Sequence, residues 1–158
     1  MSKYEHIKDD WIREALEEYK DKIDENKSHQ LDISSYRVEK PWGHELWLEL
    51  NEHYAYKLIH IKAGNKSSLQ WHEKKVETNY VIKGEAEVLL QNSDGEMESR
   101  KYKSGTGFCV PLKTKHRVIA TEDLTMLECS TAHLNDCIRF EDDNDRGSGK
   151  IDGEHESN

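Results

Sequence analysis

The chain has 158 residues, of which 35% are charged and 34% hydrophobic, and its net charge is −9 at pH 7. This length predicts one domain with a single core. The negative charge argues against nucleic acid or an anionic membrane surface as the main partner, because both attract basic proteins. No apolar run is long enough for a signal peptide or a membrane span.

The three cysteines, Cys109, Cys129 and Cys137, form no Cys-x-x-Cys pair. Each lies among strand-like apolar residues, where a buried free thiol is expected. Together with the missing signal peptide, this pattern predicts a cytoplasmic protein.

The first part of the chain predicts an amphipathic helix. Apolar residues recur at helical spacing between Ile7 and Ile23, and the other faces carry charged residues. We predict a helix over residues 3–26, within an N-terminal region of helix and linker over residues 1–33. Its apolar stripe is expected to pack on the barrel or on a neighbouring subunit.

From Tyr36 onward the hydrophobic period changes to two, in short runs such as HELWLEL, YAYKLIHIK and EAEVLL that are separated by turn signals. Many short strands without intervening helices predict an all-β antiparallel sandwich or barrel, which we place at residues 34–140. Residues 141–158 are acidic and poor in apolar residues, which predicts a disordered tail.

Potential metal ligands are concentrated in one segment. Gln70 and His72 are two residues apart, so on a strand their side chains leave the same face, and Glu77 falls on a following strand. His116, further downstream, can supply a fourth donor. Imidazole, carboxylate and amide donors suit one divalent metal ion, such as Zn, Mn, Fe, Co or Ni. The alternative is that these side chains only hydrogen-bond in a protein that has lost its metal.

The spacing of these residues resembles the paired signature of the cupins. The corresponding positions are Gly64, Gln70, His72, Glu77, Gly84, Gly105, Pro111 and His116. Two positions depart from the signature, because Gln70 replaces its first histidine and Lys113 replaces the glycine after the proline. Three segments further resemble the C-terminal cupin domain of type II mannose-6-phosphate isomerases: KPWG at 40–43, LQWH at 69–72 and IRFEDD at 138–143. The resemblance implies a double-stranded β-helix, the cupin jelly roll, preceded here by the amphipathic helix.

Two lysines are candidate catalytic residues. Lys57 shares strand parity with Ile59 and Ile61, which predicts a buried ammonium that needs a phosphate or a carboxylate such as Glu77 as its partner. An outward lysine after a bulge is the alternative. Lys75 stands where the isomerases resembled here carry arginine, an exchange that is not conservative for an anion contact.

His44 is a candidate general base, because it shares parity with Leu46 and Leu48 and is therefore predicted to face inward. A core histidine without a chemical role is the alternative. Five further cations are predicted either to rim the cavity or to lie on the surface: Arg37, Lys40, Arg117, Arg139 and Arg146.

The resemblance implies a metal-dependent aldose–ketose isomerase that acts on a sugar phosphate, most similar to mannose-6-phosphate isomerase. Because one fold supports many reactions, two alternatives stay open. One is a non-catalytic metal- or sugar-binding accessory cupin of carbohydrate metabolism, and the other is a different metal-dependent cupin enzyme, a dioxygenase or a lyase. A homodimer is expected, since a small sandwich leaves sheet edges that a partner can cover.

Overall fold

The computed structural model describes residues 3–150, which form two six-stranded antiparallel sheets and one helix. The helix is α1 (Asp10–Asp24), and the strands are β1 (Tyr36–Lys40), β2 (Gly43–Leu50), β3 (Ala55–Ile61), β4 (Leu69–Trp71), β5 (Glu77–Lys83), β6 (Glu85–Gln91), β7 (Met97–Lys103), β8 (Gly107–Val110), β9 (His116–Ala120), β10 (Leu124–Ser130), β11 (Ile138–Glu141) and β12 (Gly149–Lys150). The first sheet has the order β1-β2-β3-β10-β5-β8 and the second β12-β11-β4-β9-β6-β7. The predicted all-β jelly roll is confirmed.

The core of the barrel follows from the alternation that the sequence predicts. In β3 every second residue is buried, from Ala55 to Ile61. The same period in the other strands brings apolar side chains from both sheets into one cluster, which includes Ile59, Ile61, Val81, Val88, Val118 and Met126. Burial of these side chains excludes water from the barrel interior and holds the two sheets face to face.

A tight turn at residues 83–85 joins β5 and β6. Gly84 adopts a φ of +83°, a conformation that glycine tolerates far better than other residues. A Cβ atom at this position would lie 2.5 Å from the backbone oxygen of Asp123. Glycine is therefore required here by both the backbone conformation and the close approach of the next loop.

Helix α1 begins later than predicted, at Asp10, because the Asp9 side chain caps it by accepting a hydrogen bond from the Trp11 backbone N–H at 3.1 Å. Its apolar stripe packs on the barrel, where the Tyr19 and Trp47 rings meet edge to face at 4.9 Å. Because the barrel already covers this stripe, the helix offers no apolar face to a partner. The prediction of a homodimer then rests on the sheet edges. Within residues 3–150 no helix combines the length and apolar character that crossing a membrane requires.

The predicted boundary at residue 141 falls inside the last hairpin of the described chain. Strand β12 pairs with β11, and the Asp142 carboxylate accepts hydrogen bonds from the backbone N–H groups of Asn144 and Arg146 at 3.1 and 3.0 Å. Turn hydrogen bonds thus order a segment that has few apolar residues. Residues 151–158, the remainder of the predicted tail, lie outside the described residues.

The prediction of three buried cysteines is correct for one of them. Cys137 is buried, whereas Cys109 and Cys129 are exposed, and all three are free thiols. Both exposed cysteines lie on strands, at positions whose side chains point away from the barrel interior. Apolar neighbours in sequence did not reveal this, because the outer face of the first sheet is itself partly apolar.

Candidate metal centre

His72, Glu77 and His116 converge inside the barrel, and one potential ligand atom from each lies within 4.8 Å of the others. His72 Nε2 is 3.5 Å from Glu77 Oε2, and His116 Nε2 is 3.4 Å from Glu77 Oε1. His72 follows β4 and His116 begins β9 in the second sheet, whereas Glu77 begins β5 in the first. The two sheets together therefore form this cluster, called below the His-Glu-His cluster.

Both imidazole rings are oriented as metal ligands are. The Nδ1 atom of His72 pairs with the backbone oxygen of Asp136, and Nδ1 of His116 pairs with the backbone oxygen of Thr114 at 3.0 Å. A carbonyl can only accept, so each Nδ1 carries the proton and each Nε2 presents a lone pair. His72 Nε2 is buried without a hydrogen-bond partner. The donor set thus fits one divalent metal ion held by two Nε2 atoms and the Glu77 carboxylate.

Gln70 lies beside this cluster but its oxygen already has two donors. The residue pairs in register with His116 and lines the same cavity. Its Oε1 accepts hydrogen bonds from Ser68 Oγ at 2.8 Å and from Cys137 Sγ at 3.1 Å. The predicted inward orientation is therefore observed, while a role for Gln70 as a metal ligand stays a prediction.

Asp136, which the sequence did not single out, orders the loop between His72 and Glu77. Its carboxylate accepts hydrogen bonds from the backbone N–H groups of Glu73 at 3.1 Å, Lys74 at 2.6 Å and Lys75 at 2.8 Å. Its backbone oxygen also fixes the His72 ring. One buried residue on the loop before β11 thus positions both His72 of the His-Glu-His cluster and the neighbouring Lys75.

We expect Asp136→Asn to weaken divalent-metal binding by about 10- to 100-fold, the range typical of residues that orient metal ligands. The amide presents one oxygen and one N–H group to the three backbone donors, so the loop loses part of its support. Competition with a chromogenic chelator measures the affinity. Asp94→Ala, in the exposed turn between β6 and β7, is the control. Unchanged affinity in Asp136→Asn would mean that the loop keeps its conformation without the carboxylate.

Lys57 and Lys75 both point into the barrel. For Lys57 this is the orientation that its position on the strand predicts. Lys57 Nζ lies 3.2 Å from Glu45 Oε2 and 4.0 Å from Glu128 Oε1, whereas Lys75 Nζ lies 2.7 Å from Glu77 Oε2 and 3.4 Å from Glu128 Oε1. The suggested pairing of Lys57 with Glu77 is wrong, because Lys75 occupies that position. These five side chains, called below the buried ion-pair network, contain three carboxylates and two ammonium groups.

The network and the cluster share Glu77, and their charges shift each other's protonation. Burial acts to raise the pKa of Glu77. Lys75 and the two histidines outweigh this effect and hold the pKa well below its ordinary value. Burial opposes the charge of Lys75, but the Glu128 and Glu77 carboxylates raise its pKa well above the ordinary value. Glu77 is thus an anion and Lys75 a cation at neutral pH, so a metal ion finds a deprotonated ligand already in place.

The prediction that His44 faces the cavity is wrong. Glu45 and Trp47 are the buried residues of this part of β2, and His44 lies on the opposite face. There its ring packs against that of His60, with the centroids 5.2 Å apart. Half-buried leucines on the outer face of the sheet made the parity of His44 look inward. His44 does not line the cavity, so it is not a base for a substrate bound there.

The cavity above the cluster has a volume of about 70 Å³. Its walls include the His-Glu-His cluster, the buried ion-pair network and apolar side chains such as Ile59, Val118 and Met126. Most of its lining residues are buried, and the exceptions are Ser67, Gln70 and Arg146, which are partly exposed and mark the mouth. Of the five cations predicted either to rim the cavity or to lie on the surface, Arg146 alone lines it, while Arg117 and Arg139 are buried elsewhere.

We expect the metal-free protein to lose stability in acid because of its buried histidines. Burial lowers the pKa of His72, with a contribution from Lys75, and burial also lowers that of His116, both from an ordinary value of 6.5. Between the lowered and the ordinary pKa the unfolded chain binds more protons than the folded chain. The contribution of these histidines to the free energy of unfolding is therefore fully present above about pH 6.5. It is lost as the pH falls from there through the lowered pKa values.

Urea unfolding in the presence of chelator, from about pH 7.5 to about pH 5, measures this dependence. In His116→Gln the free energy of unfolding should fall less steeply toward acid pH, which we call the acid limb, since the variant lacks one of the groups that must be protonated. His53→Gln, an exposed ring, should leave the limb unchanged. An equally steep limb in His116→Gln and the wild type would contradict the assignment.

The family described as mannose-6-phosphate isomerase C-terminal matches residues 24–142, about three quarters of the chain. No curated protein sequence matches significantly. Among solved structures, an oxalate decarboxylase from Bacillus subtilis is similar with a TM-score of 0.60 and 20% identity, over 67% of this chain and 30% of that one.

Two further solved structures are similar. KdgF from Halomonas sp. has a TM-score of 0.54 and 20% identity, over 61% of this chain and 87% of that one. Another structure of the Bacillus subtilis oxalate decarboxylase, a protein with Mn(II) centres, has a TM-score of 0.58 and 23% identity, over 66% of this chain and 29% of that one. The chain thus spans under a third of the decarboxylase, and at these identities the likeness shows a common fold.

Proposed function

This chain belongs to the mannose-6-phosphate isomerase C-terminal family, and we propose that it is a metal-dependent isomerase that interconverts an aldose phosphate and a ketose phosphate. Mannose 6-phosphate and fructose 6-phosphate are the proposed pair. The observation that carries the proposal is the buried His-Glu-His cluster at the wall of the barrel cavity. Both imidazoles present Nε2 lone pairs there, as a metal-dependent reaction requires.

The charge of the interior supports an anionic substrate once the metal is bound. The buried ion-pair network carries one net negative charge, because three carboxylates face two ammonium groups. A divalent ion makes the total positive and, when bound, supplies Lewis-acid polarisation of the substrate carbonyl. Lys75, next to Glu77, is then placed to stabilise negative charge that develops on the substrate oxygens. Zn, Mn, Fe, Co and Ni all suit these donors.

Aldose–ketose isomerisation also needs a group that moves a proton between two neighbouring carbons. With His44 on the outer face, we propose Glu128, which lines the cavity and lies outside the His-Glu-His cluster. Its Oε1 atom is 3.4 Å from Lys75 Nζ and 4.0 Å from Lys57 Nζ, so two ammonium groups hold it in position. Glu128→Gln should slow proton transfer while metal content stays at the wild-type level.

Deuterium incorporation tests the proposal directly. Protein loaded in turn with each of the five metals is incubated in heavy water with hexose and pentose phosphates, and the sugars are analysed by NMR. Label at C1 or C2 of one sugar, present in the wild type and in His44→Gln but absent in His116→Gln, is the expected result. Full metal occupancy without label in any sugar would overturn the isomerase proposal.

The small cavity favours a second candidate, an accessory cupin that binds a sugar or a related metabolite without converting it. A volume of about 70 Å³ is well below the roughly 300 Å³ at which ordinary ligand pockets begin. Both interior lysines are moreover paired with carboxylates. Saturable binding of a sugar phosphate to the metal-loaded protein, with no label incorporated, would identify this function.

A further inference from the structure

We propose that Arg146, oriented by Asp142, forms an anion subsite at the cavity mouth that takes the phosphate group of the substrate. The inference rests on the proposed function and adds a residue that determines specificity for phosphorylated sugars. Arg146 is the one cation of residues 3–150 that both lines the cavity and keeps part of its side chain exposed. Its side chain is 21% exposed, whereas those of Lys57 and Lys75 are 3% and 8% exposed.

The guanidinium of Arg146 is held by a buried partner. Its Nε donates to Asp142 Oδ2 at 3.1 Å and its Nη2 donates to Asp142 Oδ1 at 2.7 Å, and the Asp142 side chain is 4% exposed. This two-point contact fixes the plane of the guanidinium. A guanidinium has five N–H donors, so Arg146 can contact an anion at the mouth in addition to its present partners or in exchange for one of them.

The backbone that carries Arg146 is fixed as well. The buried Arg139 donates from Nη1 to the backbone oxygens of Arg146 at 2.8 Å and Gly147 at 3.1 Å. In addition, Asp142 Oδ2 accepts a hydrogen bond from the backbone N–H of Arg146. Side chain and backbone are thus both restrained before any ligand binds, which reduces the entropy that an anion contact would cost.

The two interior lysines are poor alternatives for a phosphate. Both are buried within the ion-pair network, whose net negative charge repels a dianion in the metal-free protein. With the metal bound, the net positive charge lies near the cluster, where the carbonyl end of a sugar must lie. The cavity of about 70 Å³ does not enclose a whole hexose phosphate, so the phosphate end remains at the mouth.

Arginine is also the suitable residue chemically. A planar guanidinium contacts two phosphate oxygens at once, whereas an ammonium acts as a point charge. If Arg146 binds the phosphate, Arg146→Gln should weaken binding of inorganic phosphate to the metal-loaded protein by about 10- to 100-fold, and Arg146→Lys by less. Arg100→Gln, which removes an arginine paired with Glu98 on β7, is the matched control and should bind phosphate as the wild type does.

Two measurements test the anion subsite separately from the proposed isomerase activity. Isothermal titration of metal-loaded protein with inorganic phosphate and with mannose needs no turnover, so it decides the subsite even if no sugar is isomerised. Where turnover is observed, Arg146→Gln should raise KM for the sugar phosphate and leave kcat/KM for the unphosphorylated sugar unchanged. Wild-type phosphate affinity in Arg146→Gln, with the urea midpoint preserved, would overturn the inference.

Discussion

Replacing His116 with glutamine is expected to lower divalent-metal affinity by more than the roughly 10- to 100-fold that changes in the surroundings of a metal ligand cause. The ring supplies one of two Nε2 lone pairs, and its Nδ1 proton is fixed by the backbone oxygen of Thr114. Glutamine fills similar space but offers only a neutral amide oxygen. The remaining His72 and Glu77 then form a two-donor site, which binds a divalent ion weakly.

The affinity is measured by chelator competition, and metal content after dialysis by mass spectrometry. His44→Gln is the matched control, because it makes the same substitution on a histidine of β2 that lies outside the cavity. It should retain wild-type affinity for the metal. If His116→Gln retained it too, the His-Glu-His cluster would be a hydrogen-bonded core element, and the proposed isomerase would lose its Lewis acid.

Strand parity predicted much of this site because β-strands alternate strictly. The inward orientation of Lys57 follows from its spacing relative to Ile59 and Ile61, and the common face of Gln70 and His72 follows from their spacing of two; Lys57 and His72 are both buried. Parity failed where both faces of a strand carry apolar residues. Leu46 pairs in register with Leu58, and both are half-buried on the outer face, so His44 was assigned to the wrong side.

The carboxylates that complete the interior were beyond the reach of local patterns. Glu45 and Glu128 are 83 residues apart in sequence, and in a strand an isolated glutamate is usually a solvated residue. Asp136 lies 64 residues beyond His72, whose ring it fixes through its backbone oxygen. Their burial depends on pairing across the barrel with lysines and backbone donors, which becomes visible only when the strands are placed in register.

The last expected result concerns Lys57, one of the two ammonium groups of the buried ion-pair network. Lys57→Met should lower the free energy of unfolding by roughly 3–5 kcal/mol, because it leaves Glu45 buried without its ammonium partner. The Trp47 ring beneath the ammonium, 4.6 Å from Nζ, loses a cation–π contact at the same time. Urea unfolding of the metal-free protein measures the change. Lys101→Met, which removes an exposed lysine paired with Glu85, should leave the midpoint unchanged.

The double variant Lys57→Met with Glu45→Met separates the cost of the unpaired charge from the loss of packing. It removes one charge of each sign, so Glu128 and Glu77 still face Lys75 and the net charge of the interior is unchanged. We expect it to be more stable than the single variant by roughly 2 kcal/mol or more, since apolar pairs often replace buried ion pairs at little cost. A double variant no more stable than Lys57→Met would show that water reaches Glu45 and screens its charge. The interior would then be too wet for the low-dielectric electrostatics on which the proposed anionic chemistry depends.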